Sequence, residues 1–89
     1  MTKLLEALYE EEKDLNMIFS LIPVSDLTYI NEKRENALLL SLHFELPTVA
    51  IEILKHTNNG IDQVDHLGNN SLILALKKFY QDTAKIIIE

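Results

Sequence analysis

Three histidines, His43, His56 and His66, are the residues of this chain best suited to proton transfer or metal ligation. They stand 13 and 10 positions apart (56 − 43, 66 − 56) and form no HExxH or comparable ligand spacing. Each is therefore expected to face solvent or to compensate the dipole at a helix end. Glu10, Glu11 and Glu12 are consecutive. On a helix such positions point in different directions, so they read as a solvated face rather than a paired general acid and base. Ser20, Ser25, Ser41 and Ser71 lack a base at any diagnostic spacing, and Gly60 and Gly68 complete neither GxGxxG nor GxxxxGK. The chain has no cysteine, which removes thiolate chemistry, disulfides and Cys-ligated zinc. No enzyme activity, metal or cofactor is expected.

The elements that hold these residues repeat. Asn36-Ala37-Leu38-Leu39-Leu40-Ser41-Leu42 overlies Asn70-Ser71-Leu72-Ile73-Leu74-Ala75-Leu76, and Ala50, Ile53 and Leu54 overlie Ala84, Ile87 and Ile88. Every pair is 34 positions apart (72 − 38, 84 − 50, 88 − 54). One offset spanning two helix-period patterns predicts stacked helix-turn-helix units rather than one closed core. Thr2, Leu4, Leu5, Ala7 and Leu8 form a third, decayed copy of the first helix, with Thr2 as its cap and Leu4 and Leu8 as its buried stripe. Ile18, Leu21 and Ile22 are the buried face of its partner helix, which Pro23 stops. Their offset to Ala50, Ile53 and Leu54 is 32 (50 − 18), so the first connection should be two residues longer, inside the acidic run of residues 10–14. Asn58-Asn59-Gly60 is a C-cap and turn signal. The chain divides into units at residues 1–30, 31–64 and 65–89, within one domain.

Periodicity alone admits tetratricopeptide and ankyrin units, and the residues between the helices decide between them. Asp65-His66-Leu67-Gly68-Asn69-Asn70-Ser71-Leu72-Ile73-Leu74-Ala75 resembles the ankyrin opening Asp-x-x-Gly-x-Thr-Pro-Leu-His-x-Ala, with Asp65, Gly68, Leu72 and Ala75 in place. Asn70 and Ser71 replace Thr-Pro and keep the capping role. In the copy from Asn31, Arg34 replaces the turn glycine, Asn36-Ala37 replaces Thr-Pro and Ser41 replaces Ala; in both copies the family's His is lost, to Leu39 and Ile73. The resemblance implies an all-α ankyrin-repeat solenoid with hairpin-like loops, whose tips are Glu32-Lys33-Arg34-Glu35 and His66-Leu67-Gly68-Asn69. It also implies protein–protein recognition on the concave face. Carried onto this sequence, the partner-binding set is Tyr9, Glu32, Lys33, Glu35, His43, Phe44, His66, Leu67, Asn69, Lys77 and Lys78. Phe44 and Tyr9 either anchor a partner or tuck against the neighbouring unit, as Phe79 and Tyr80 are expected to do.

Composition bounds the rest. The chain has 89 residues, is 47% hydrophobic and 25% charged, and carries a formal net charge of −6, which disfavours nonspecific nucleic-acid binding. No apolar run approaches the roughly 20 residues that span a bilayer, so no membrane is expected and cytoplasm, or a host cell's cytoplasm, is the compartment that fits. The acidic charge keeps a second function open, a small inhibitor or immunity-type protein that blocks a basic enzyme cleft. Residues 86–88 form an apolar patch that predicts self-association or further repeats.

Overall fold

A computed structural model describes residues 2–56 and 61–88; the turn expected at Asn58-Asn59-Gly60 lies outside the described residues. Six α-helices form three pairs: α1 (Lys3–Tyr9) with α2 (Leu15–Leu21), α3 (Ala37–His43) with α4 (Pro47–His56), and α5 (Ser71–Lys77) with α6 (Gln81–Ile88). Among the described residues there is no strand. The first helices of successive pairs touch, α1 with α3 and α3 with α5, and the second helices do likewise, α2 with α4 and α4 with α6.

The helices start where the sequence supplies a side-chain acceptor. Thr2 Oγ1 accepts from the Leu5 N–H at 3.2 Å, and Asp14 Oδ1 from Met17 at 3.2 Å. Asn36 and Asn70 cap α3 and α5 with nearly identical backbones, φ −98°, ψ 179° and φ −97°, ψ 179°, each accepting at 2.9 Å from the residue three positions on. Such a cap satisfies one of the N–H groups that a helix start leaves without an internal partner.

The two later pairs also end their first helix identically. The N–H of Leu46 donates to Ser41 O at 2.7 Å and that of Glu45 to Leu42 O at 3.2 Å; Tyr80 to Ala75 O (2.8 Å) and Phe79 to Leu76 O (3.2 Å) repeat the pattern 34 residues on. This is the Schellman arrangement, and it forces the residue after the cap into the left-handed region. Glu45 (φ 64°) and Phe79 (φ 62°) occupy that position, where a glycine would be unstrained. The first pair turns differently: residues 10–14 connect α1 to α2, against residues 44–46 in the second pair, which is the two-residue excess read from the offset. Glu10, Glu11 and Glu12 lie in this bend and not on a helix.

One hydrophobic cluster runs through all three pairs. Leu4, Leu5 and Leu8 from α1, Ile18 from α2, Leu38, Leu39 and Leu42 from α3, Val49, Ala50 and Ile53 from α4 and Leu74 from α5 are buried in it. Leu21 is half-buried, whereas Ile18 and Ile22 are enclosed. Phe79 departs from expectation: it is 85% exposed, because the left-handed backbone at its position turns the side chain out, while Tyr80 packs on the core. Among the described residues no helix is long and apolar enough to cross a membrane.

Candidate functional site

The tips preceding α3 and α5 are built by one side-chain oxygen each. Asn31 Oδ1 accepts from the N–H groups of Lys33 and Glu35, and Asp65 Oδ1 from those of Leu67 and Asn69, all at 2.9 Å. The backbone closes each turn identically, Asn31 N to Glu35 O and Asp65 N to Asn69 O at 3.0 Å. Arg34 (φ 62°) adopts the left-handed conformation that Gly68 (φ 84°) adopts in the next copy. The tips are joined: the His66 N–H donates to Lys33 O at 3.0 Å and Gln63 Nε2 to Arg34 O at 3.1 Å. A contact between neighbouring loops therefore persists although the family's histidine is missing.

Beside the first tip, the end of α1 carries a small polar and aromatic cluster. Tyr9 donates its hydroxyl to Glu35 Oε1 at 3.0 Å, and Asn31 Nδ2 donates to both, at 3.1 Å each. Burial, then the Glu35 hydrogen bond and charge, raise the Tyr9 pKa, with the Asn31 bond opposing them. The Tyr9 ring meets Phe44 edge-on with centroids 5.3 Å apart, His43 meets Phe44 likewise at 5.3 Å, and Lys13 Nζ lies 4.7 Å above the Phe44 ring. A hollow of about 340 Å³ opens between Tyr9, Tyr29, Asn31, Glu32 and Lys33.

The residues expected to bind a partner fall into two groups. Glu32, Lys33, His43, His66 and Leu67 are exposed, with Leu67 at 71%. Glu35 is not: it is 5% exposed and committed to Tyr9 and Asn31, because the turn folds its side chain back under α1. Phe44 is half-buried against the core, and Tyr9 is 40% exposed with its ring engaged on Phe44. Lys77 donates to Asn69 Oδ1 at 2.8 Å, and Lys78 donates to His43 O at 3.2 Å with Glu45 at 3.9 Å. Tyr29, Asn31, Lys13 and Gln63 were missed. Asn31 was legible as the counterpart of Asp65; the others have no sequence signal.

His43 and His56 end α3 and α4, where a cation is favoured by the helix dipole, and His66 is on the second tip. Among the described residues, no three His, Cys, Asp or Glu side chains converge to hold a metal. Comparison with known protein families, curated proteins and solved structures finds no match.

Proposed function

We propose that this chain is an ankyrin-type helical-repeat module that binds another protein through its loop tips and the adjoining ends of α1, α3 and α5, without chemistry of its own. The observation that carries this reading is the 34-residue recurrence of an entire unit: Asx-closed tip, asparagine cap, first helix and Schellman turn. A tip rigidified by its own side chain and tied to its neighbour loses little conformational freedom on docking, which is what a recognition loop needs. Glu32, Lys33, His66 and Leu67 are its exposed side chains and the recognition residues; Glu35, Phe44 and Tyr9 shape the platform beneath them.

The test is affinity capture from the native source with the parent chain and with Leu67→Ala combined with His66→Ala. Loss of a captured protein at unchanged melting temperature supports the reading. Capture that is indifferent to the tips, together with inhibition of a basic enzyme that weakens with salt, supports instead the acidic inhibitor that the net charge of −6 favours.

A further inference from the structure

Each helix pair uses one face to receive the next. Leu5, Leu39 and Ile73 are equivalent, as are Leu8, Leu42 and Leu76, and, on the second helices, Ile22, Leu54 and Ile88. The α1 and α3 members are buried beneath the following pair, and so is Ile22, with Leu54 half-buried. The third members are open: Ile73 is 37%, Leu76 57% and Ile88 70% exposed. The apolar side chains that make two stacking contacts inside the chain thus recur on α5 and α6 with nothing upon them.

The opposite face of the stack is not their complement. The α3 and α5 positions that pack against the preceding pair are Ala37, Leu40, Ser41 and Phe44, and Ser71, Leu74, Ala75 and Lys78; Phe44 meets Tyr9, and Lys78 reaches His43 O. Their α1 equivalents are Lys3, Glu6, Ala7 and Glu10. Lys3, Glu6 and Glu10 are exposed. Seating that face on Leu72, Ile73 and Leu76 would put Glu6 where Leu40 and Leu74 are buried, a desolvated carboxylate among leucines. Head-to-tail stacking is thereby disfavoured, and with it the open filament that such a contact generates.

We propose that a second copy of the chain covers the α5/α6 face with its own α5/α6 face, giving a closed two-fold dimer around Leu72, Ile73, Leu76 and Ile88. The contact continues the interface already formed between α3 and α5, and burial of the same side-chain types drives it. Lys77 and Lys85 remain at the rim. Because each copy carries a net charge of −6, raising the salt concentration screens the repulsion between copies and tightens the dimer. A head-to-tail contact pairing Glu10 with Lys77 would loosen instead.

The experiment is sedimentation velocity on the full chain from micromolar to millimolar concentration, at low and high salt. The expected result is a monomer–dimer equilibrium that stops at two and strengthens with salt. Leu76→Glu and Ile88→Lys, both at exposed positions and so without cost to the monomer fold, should each weaken it by at least about tenfold, the effect of roughly 1.4 kcal/mol. Met17→Glu, on the opposite face, should leave it unchanged. A monomer throughout, growth beyond two, loss of association in Met17→Glu, or a dimer indifferent to Leu76→Glu would each overturn the proposal.

Discussion

Two side chains, Glu35 and Thr83, sit where their chemistry would not place them. Glu35 is a carboxylate at the edge of the core, held by Tyr9 and Asn31. A hydrogen bond to a charged group contributes about 1.5–3 kcal/mol, so Tyr9→Phe should destabilise the fold by about 1–2 kcal/mol in chemical denaturation. The phenol also titrates higher in the folded state than its ordinary value of 10.0. A raised pKa contributes stability that is present below the unfolded value and lost as pH climbs through the folded one. The parent should therefore lose more stability above pH 10.0 than Tyr9→Phe does, and parallel alkaline profiles would show that the phenol is not coupled to Glu35. Thr83 is enclosed and its Oγ1 has no hydrogen-bond partner, while its equivalent 34 residues earlier is the buried Val49. An unsatisfied buried hydroxyl costs about 1–3 kcal/mol, so Thr83→Val should raise stability by about 1 kcal/mol. A lower melting temperature for this variant would mean that the hydroxyl is satisfied in solution.

At the level of elements, most of the stability in reserve lies in backbone conformation. Glu45, Phe79 and Arg34 hold left-handed φ values of 64°, 62° and 62°, and this region costs a non-glycine residue about 1–2 kcal/mol. Glycine relieves that strain but loses more freedom on folding, so Glu45→Gly and Phe79→Gly should each stabilise by about 0.5–1 kcal/mol. In a domain of this size that is a rise of roughly 2–8 °C in melting temperature. Arg34→Gly should act the same way and make the first tip match the second, where Gly68 already stands. The repeat was legible because its signals are local: Thr2, Asn36 and Asn70 announce helix starts, the offset of 34 announces the unit, and the offset of 32 announces the longer first turn. Arg34 could be seen standing in a glycine's place. The Schellman turns could not be read, since neither Glu45 nor Phe79 marks a left-handed position by its type. Phe79 misled because an aromatic suggests burial, and Glu35 because a charge suggests exposure. Its partner Tyr9 is 26 positions away in sequence, a pairing that no local pattern encodes.

For the whole molecule, outline says little about architecture. The extents are 27 × 25 × 23 Å, nearly equal, because three pairs of helices of 7–10 residues stack to about the height of one pair's length. What distinguishes such a stack from a globule is how stability is distributed. In a stack each pair is held by its neighbours, so opening is governed by nearest-neighbour contacts rather than by one shared core. The middle pair is covered on both sides, with Leu38, Leu39, Leu40, Leu42, Val49 and Ile53 all buried. The α5/α6 pair is covered on one side only and contributes Leu74 alone from its helices to the central cluster. Native-state hydrogen exchange should therefore show α5 and α6 opening together at lower free energy than α3 and α4. Adding chain concentration should close that gap if the exposed Ile73, Leu76 and Ile88 are then covered by a second copy. In Leu76→Glu the gap should persist at every concentration, since that variant lacks the means to close it. Uniform protection across all six helices in dilute solution would indicate a single cooperative core, and the division into stacked pairs would then describe the geometry without describing the energetics.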